Sequence, residues 1–202
     1  MIPPPAPDFG EPCPIRPSAE TLAFLATRRS ASAMTLRAPG PDAGEIEAQQ
    51  RLAARAPDHG KLAPWRFVVL EGDAKSRFVA ALHRLVATQP SPEKAEAALA
   101  KIVIPPLSIA VVSSAKEAKI PLWEQELSAA ACCMNLLIAT QAMGFGANWI
   151  TDWYAYDPEA AALLGVREGE RVAGYVHIGT PAETPLERVR PNLSDIVERW
   201  NG

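Results

Sequence analysis

The amino-acid sequence predicts a single α+β domain, and three features of its pattern lead to that class. Several segments have helical spacing of apolar residues, and one of them, Leu127 to Met143, is apolar over most of its length. Only a few apolar runs have the length and the bounding residues that are typical of strands. The chain has no βαβ repeat with a glycine-rich phosphate loop, which argues against a doubly wound sheet. A length of 202 residues suits one hydrophobic core.

The chain divides into a proline-rich arm, residues 1–17, and a folded domain, residues 18–202. The arm contains seven prolines and no apolar segment of the signal-peptide kind, so we expect it to be extended. Ser18 is placed to cap the first helix of the domain. Asp42 is placed to cap a second helix, which ends at about Arg55 because a proline follows shortly after it.

The rest of the domain alternates between apolar runs and helical segments. Trp65 to Leu70 has the pattern of a strand that is buried on both faces, and Asp73 is placed to cap the next helix. Gly144 and Gly146 end the long central helix. The predicted helices occupy residues 73–86, 92–101, 121–143 and 158–164, and the remaining predicted strands occupy residues 107–112, 147–150 and 170–178.

Composition and charge exclude several classes of function. The formal net charge is −3 and lysines and arginines are not clustered as they are on a nucleic-acid-binding surface. Polar residues interrupt the run 127–143, which favours a buried helix over a membrane span. Cys13, Cys132 and Cys133 do not form a disulfide framework, so we expect a cytoplasmic protein whose vicinal thiols are buried and inert. The histidines lack metal-ligand spacing, and no metal site is expected.

Arg28 and Arg29, with Ser30 and Ser32, place many hydrogen-bond donors within five residues. Arginine's planar fork matches the oxygens of a phosphate two at a time, so the segment is a candidate anion site. The alternative is a solvated helix terminus, where positive charges oppose the negative end of the helix dipole.

Two other segments are candidate binding sites. The stretch RAPDHGKLAPWRF, residues 55–67, holds His59 and Lys61 in a turn before a predicted strand, and it is either a ligand-binding turn or a solvated loop. Residues 144–152 combine glycines with the flat face of Trp149, and they form either a ligand-facing segment or a core strand. No Gly-x-Ser-x-Gly motif supports serine hydrolysis.

Five motifs in a fixed order make the sequence resemble the nitroreductase family of flavin oxidoreductases, and within it a small branch with RRSAS and APDH motifs. The motifs are Arg28-Arg29-Ser30, Ala56-Pro57 with Pro64 to Phe67, Trp123 to Glu126, Gly144 to Gly146 before Trp149, and Gly179-Thr180-Pro181 with Arg190-Pro191. The resemblance extends from about residue 20 to residue 200 and leaves the arm unmatched.

The resemblance implies a mixed or antiparallel central sheet flanked by helices, and a homodimer with the long buried helix at its interface. It also implies that FMN is bound between the two subunits. The implied phosphate contacts are Arg28, Arg29 and Ser30, with Arg188 or Arg190 from the tail. The implied neighbours of the flavin ring are His59, Lys61, Trp149, Ile150 and Thr151.

The implied activity is transfer of a hydride from NAD(P)H through FMN to a nitroaromatic, a quinone or a similar small acceptor, in a ping-pong scheme. The flavin carries this chemistry, so no catalytic side chain is expected, and NADH and NADPH are both open as reductants. Ala63 and Asp152 depart from the family pattern, which leaves an alternative: a flavin-binding protein with little or no turnover. A flavin-free structural protein is a third hypothesis, but it gives no reason for Arg28, Arg188 and Arg190.

Overall fold

The computed structural model describes residues 2–202, and in that range one antiparallel sheet lies between two layers of helices. The helices are α1 (Ala19–Thr27), α2 (Ala43–Ala53), α3 (Gly72–Leu85), α4 (Pro92–Val103), α5 (Leu122–Ala142), α6 (Trp153–Tyr156) and α7 (Pro158–Leu163). The strands are β1 (Leu36–Arg37), β2 (Trp65–Glu71), β3 (Leu107–Ser113), β4 (Gly146–Ile150) and β5 (Arg171–Pro181). Met1, the first residue of the predicted arm, lies outside the described residues.

The long strand β5 organises the sheet, because it pairs with three other strands. Its residues 171–178 pair with β3, residues 175–179 pair with β4, and residues 180–181 pair with β1. Strand β2 pairs with the other edge of β3 and ends the sheet. Every recorded pairing is antiparallel, which confirms the predicted α+β class and the antiparallel form of the implied sheet.

The two faces of the sheet carry separate cores, because successive side chains of a strand point to opposite faces. Val176 and Ile178 of β5 pack with residues of α2 and α5, among them Cys132 and Leu136. Tyr175 lies on the other face and packs with residues of α3, α4, α6 and α7. Helix α5, at 21 residues the longest helix described, covers the first face.

Helix starts follow the predicted caps at two of three places. The Ser18 side chain accepts from the Thr21 N–H at the start of α1, and Asp42 forms a capping box with Glu45 at the start of α2. The prediction that Asp73 caps α3 is wrong. Helix α3 already begins at Gly72, whose φ of 51° allows the sharp turn, so Asp73 lies inside the first turn.

The prediction that β2 is buried on both faces is also wrong for the single chain. Residues 65–69 are only half-buried, since β2 lies at the edge of the sheet and α5 covers little of it. The vicinal thiols are buried as predicted, and burial raises the pKa of Cys132 to about 12. None of the described helices has both the length and the apolar character to span a bilayer.

Both ends of the chain lie on the outside of this core. Residues 2–17 contain no helix or strand, and the Phe9 side chain is fully exposed. Helix α1 buries none of its residues. The tail after β5 leaves a series of large apolar side chains exposed, namely Leu186, Val189, Leu193, Ile196, Val197 and Trp200.

Candidate functional site

Arg28 is held at the point where α1 ends and an extended segment begins. The Arg28 backbone N–H donates to the Phe24 carbonyl, and the φ and ψ angles of Arg28 are already non-helical. The Arg28 Nε donates to Gln141 Oε1 at 3.1 Å, and its Nη2 donates to Ser30 Oγ at 3.2 Å. The side chain therefore lies between the last turn of α5 and the Ser30 hydroxyl.

The extended segment lies beside the start of β4. The Ala31 N–H donates to the Ala147 carbonyl at 3.1 Å, and the Asn148 side chain donates to the Ala31 carbonyl at 2.7 Å. Gly146 permits this approach, because a Cβ there would be 2.7 Å from Leu36 Cδ2 and 3.2 Å from Ala31 Cβ. The glycines of the GFG motif thus serve helix termination at Gly144 and close packing at Gly146.

The C-terminal tail brings two more arginines to this place. Arg29 Nε donates to the Leu186 carbonyl at 2.7 Å, which holds the tail against the extended segment. Burial and the like charges of Arg190, Arg29 and Arg188 lower the pKa of Arg28. Glu187 contacts the side chains of Arg29 and Arg190, but one carboxylate cannot balance four guanidinium groups. We call Arg28, Arg29, Arg188 and Arg190 the arginine cluster, and its net charge is positive.

Arg28 and Arg29 of the arginine cluster line two clefts. One has a volume of about 260 Å³ and is lined by Arg28, Gln141, Phe145 and Gly146 among others. The other, of about 530 Å³, lies between Arg29 and the tail. It carries hydroxyl groups from the extended segment and from Thr35, and the carboxylates of Glu183 and Glu187 from the tail. The predicted anion-binding residues therefore face open space rather than a packed interior.

Strand β4 leads from the arginine cluster to Trp149, Ile150 and Thr151. The Trp149 indole lies directly over Gly174 of β5, because a Cβ on Gly174 would be 2.0 Å from the indole Nε1. Thr151 is exposed, and its hydroxyl is 2.6 Å from the Tyr156 hydroxyl. At about 3.3 Å per residue, Thr151 lies about 13 Å along the strand from Ala147.

Asp152 is turned into the structure rather than toward the surface. Its side chain caps α6 by accepting from the Trp153 N–H, and its other oxygen accepts from Lys101 Nζ at 2.8 Å. Only 16% of the Asp152 side chain is exposed. The departure from the family pattern at this position is therefore absorbed by a helix cap and an ion pair.

The turn with His59 and Lys61 is fixed by local hydrogen bonds. The Asp58 carboxylate accepts from the backbone N–H groups of Leu62 and Ala63 at 3.0 and 2.9 Å. His59 Nδ1 is 2.8 Å from Glu124 Oε2 in the first turn of α5. Lys61 is exposed and has no side-chain hydrogen bond among the described contacts.

Within one chain the predicted site residues form two separate groups. The arginine cluster contacts the end of α5 through Gln141, whereas His59 contacts its beginning through Glu124. The helical rise places residues 124 and 141 about 25 Å apart. Strands β3 and β5 lie between β2 and β4, so these two strands are themselves about 14 Å apart across the sheet. The distance along α5 exceeds the reach of one small cofactor.

Sequence reasoning missed Gln141 and Glu124 as contacts of the predicted site residues. Glu124 belongs to a motif that the sequence displays, but nothing in the motif identifies His59 as its partner. Gln141 is separated from Arg28 by more than a hundred positions, and no pattern in the sequence joins the two. Among the described residues no group of His, Cys, Asp or Glu side chains is arranged to hold a metal ion.

Comparison with known proteins gives the relationship of this chain. It is 36% identical over 164 residues to the protein named "Putative NAD(P)H nitroreductase YdjA" of Escherichia coli K12, an alignment that covers 80% of this chain and 88% of that protein. It is 36% identical over 167 residues to a protein of Haemophilus influenzae named "Putative NAD(P)H nitroreductase", which covers 81% and 90% of the two chains.

Solved structures share the fold. A nitroreductase-like family protein from Bacillus cereus superimposes with a TM-score of 0.79 at 19% identity, over 94% of this chain and all of that one. A nitroreductase with bound FMN from Bacteroides fragilis superimposes with a TM-score of 0.69 at 20% identity, over 91% of this chain and all of that one. The sequence of residues 25–180 also matches the nitroreductase family as a whole. This chain therefore belongs to the nitroreductase family.

Proposed function

We propose that this protein is a cytoplasmic, FMN-dependent oxidoreductase that passes a hydride from NAD(P)H to a small electron-poor acceptor such as a nitroaromatic or a quinone. The observation that carries the proposal is the arginine cluster, in which one carboxylate, Glu187, pairs with two of the four guanidinium groups and from which Arg28 and Arg29 line two clefts. The names of the Escherichia coli and Haemophilus influenzae relatives and the FMN bound to the Bacteroides fragilis protein support it.

The donor set fits the phosphate end of FMN. Arg28 and Ser30 offer charged and neutral donors side by side, and Arg188 or Arg190 adds a second guanidinium from the tail. Trp149, Ile150 and Thr151 lie about 13 Å along β4, on the side where the ring would follow its ribityl chain. When bound, FMN supplies the redox chemistry, since its ring accepts and releases a hydride.

The second group of residues, His59 and Lys61, would reach the same flavin from a second copy of the chain. The separation of the two groups supports this arrangement, because one chain cannot place both at one ring. The surface supports it as well. Trp123 and Leu127 of α5 are 66% and 49% exposed, and α1 buries nothing within its own chain. An apolar surface of this kind is typical of an obligate interface.

The protein's own residues would bind, orient and tune the cofactor rather than react. Lys61 would place a positive charge near the flavin ring, which gains negative charge on reduction. The Trp149 indole, fixed over Gly174, gives an apolar surface that excludes water from one side. We assign no catalytic side chain, because bound FMN would supply the hydride transfer to the acceptor.

The alternative of a flavin-binding protein with little turnover depended on Ala63 and Asp152 together closing the substrate face. The Asp152 carboxylate accepts hydrogen bonds from the Trp153 N–H at the start of α6 and from Lys101. These contacts hold it away from the substrate face, which favours the reductase. Anaerobic mixing of the purified yellow protein with NADH and then NADPH separates the two. Bleaching of the flavin absorbance with either nicotinamide indicates a working reductase, and a flavin that stays oxidised with both indicates the alternative.

The phosphate assignment is tested with Arg28→Ala, compared with Arg77→Ala on the exposed face of α3. A charge-assisted contact contributes about 1.5–3 kcal/mol, so we expect FMN affinity to fall about ten- to a hundredfold in Arg28→Ala alone. Fluorescence titration of the apoproteins gives the affinities. Retention of full FMN by Arg28→Ala at micromolar concentration would show that the arginine cluster is not the phosphate site.

A further inference from the structure

Gln141 contacts both arginines of the Arg-Arg-Ser motif through one amide group. Its Oε1 accepts from Arg28 Nε at 3.1 Å, and its Nε2 donates to the backbone carbonyl of Arg29. It lies in the last turn of α5, a rigid helix of 21 residues. We propose that Gln141 is the positioning residue of the phosphate site, a neutral amide that fixes Arg28 without neutralising it. This inference rests on the proposed function.

Arg28 needs such a partner because its neighbours repel it. Burial and the like charges of Arg190, Arg29 and Arg188 lower the pKa of Arg28. A long side chain in this environment would turn away unless another group held it. The Gln141 and Ser30 contacts use Nε and one hydrogen of Nη2, so the Nη1 hydrogens and the second Nη2 hydrogen are left for an anion.

The amide also fixes the backbone that carries Ser30. Its donation to the Arg29 carbonyl anchors the extended segment one residue before the hydroxyl group that Arg28 contacts. Only a side chain with both a donor and an acceptor can hold a guanidinium and a carbonyl together. The Gln141 amide has its acceptor and its donor on separate atoms, and it reaches both partners from the last turn of α5.

A charged residue at position 141, whether negative or positive, would weaken phosphate binding. A carboxylate would form an ion pair with Arg28, compete with the phosphate for it and repel the phosphate directly. A lysine would add to the repulsion within the arginine cluster. The end of α5 itself supplies a partial negative charge that helps to hold the arginines without occupying their donors.

The test compares binding of FMN and of riboflavin, which lacks the phosphate, to the apoproteins of four chains: the parent, Gln141→Glu, Gln141→Met and Gln50→Glu. Gln50→Glu on α2 is the charge-matched control. We expect the FMN affinity of Gln141→Glu to fall about tenfold or more, while its riboflavin affinity stays at the parent's value. Gln141→Met should lose less FMN affinity than Gln141→Glu, and Gln50→Glu should lose none.

Each other result overturns the inference or the proposed function separately. If Gln141→Glu binds FMN as the parent does, or loses FMN and riboflavin equally, Gln141 does not position a phosphate site. Gln141→Met carries the same test if Gln141→Glu does not fold, since a parent-like preference for FMN over riboflavin in that variant has the same meaning. A parent apoprotein that binds neither compound refutes the proposed function instead.

Discussion

Lys61 and Ala63 both adopt positive φ angles, 55° and 45°, which residues with a side chain seldom do. Each such residue costs about 1 kcal/mol or more, and the cost is offset only where the surroundings fix the backbone. Here the Asp58 carboxylate accepts two backbone N–H groups of the same turn. The result is a turn that displays the Lys61 side chain to the outside in a fixed place.

That placement leads to a prediction about the cofactor's potential. If Lys61 faces the pyrimidine edge of a flavin, its charge stabilises the reduced state more than the oxidised state, so Lys61→Ala should lower the midpoint potential. Solvent screening leaves a fraction of the Coulomb energy, and the expected decrease is on the order of 30 mV. Potentiometric titration measures it, with Lys94→Ala on α4 as control. A Lys61→Ala curve that overlays the parent's would leave the turn as a solvated loop.

At the scale of single residues, the sequence predicts what local chemistry decides. Ser18 and Asp42 were predictable as caps because a cap acts on residues three positions away. Asp73 was mispredicted because Gly72 starts its helix one residue earlier. The pairing of Arg28 with Gln141 depends on how α1 and α5 meet, and no local rule contains that information.

The elements are tied together by a few charged contacts, of which the pair between β2 and the turn before β5 is the most enclosed. Arg66 donates Nε and Nη2 to the two Glu170 oxygens at 3.0 and 2.6 Å, and Nη2 also donates to the Gly165 carbonyl. The side-chain hydrogen bonds from Arg66 lower the pKa of Glu170 to about 2. The pair holds an edge strand that otherwise contacts only β3 within the sheet.

The ion pair between Arg66 and Glu170 should make the free energy of unfolding depend on pH. The folded pKa of Glu170 lies below its ordinary value of 4.5, so the stabilisation is present above pH 4.5 and is lost as the pH falls toward 2. Glu170→Gln should cost about 1–2 kcal/mol at pH 7, measured by urea unfolding. The difference from the parent should shrink as the pH falls below 4.5. A difference that is constant from pH 7 to pH 3 would contradict the ion pair.

Most elements were predictable, including the short β4 and α7, and the two shortest were not. The apolar periodicity of α5 and the bounded run of β3 locate both to within a residue or two at each end. Helix α6 has four residues and β1 has two, which is too short for any period to develop. The edge position of β2 was also missed. An apolar run indicates that a strand is covered, but it does not identify the element that covers it.

For the whole molecule, the two groups of site residues at opposite ends of α5 are the basis of our proposal that one chain is half of a functional unit. Each chain would contribute its arginine cluster to one flavin and its His59–Lys61 turn to another. From the sequence these residues are predicted as one set, since a sequence contains no distances. Their separation becomes visible only when α5 is seen to lie between them.

Disruption of the interface should therefore release the cofactor without touching the phosphate site. Leu127→Asp places a charge on the exposed apolar side of α5, and we expect a chain of monomeric mass that retains little FMN. Leu163→Asp is the matched control, because Leu163 of α7 is 47% exposed and Leu127 is 49% exposed, on opposite faces of the sheet. Light scattering with absorbance detection measures both quantities. A monomer that keeps its FMN would refute the shared site.

If each flavin site is completed by a second chain, the position of the two half-sites at opposite ends of α5 makes cofactor retention a matter of mass action. A ligand that binds only the assembled pair stabilises that pair, and the pair in turn is required for the ligand to stay. When the cellular concentration of the chain is low, each chain would lose its partner and its flavin together. The amount of enzyme would then fall more steeply than the amount of chain when expression decreases, and free flavin in the cell would act as an assembly factor.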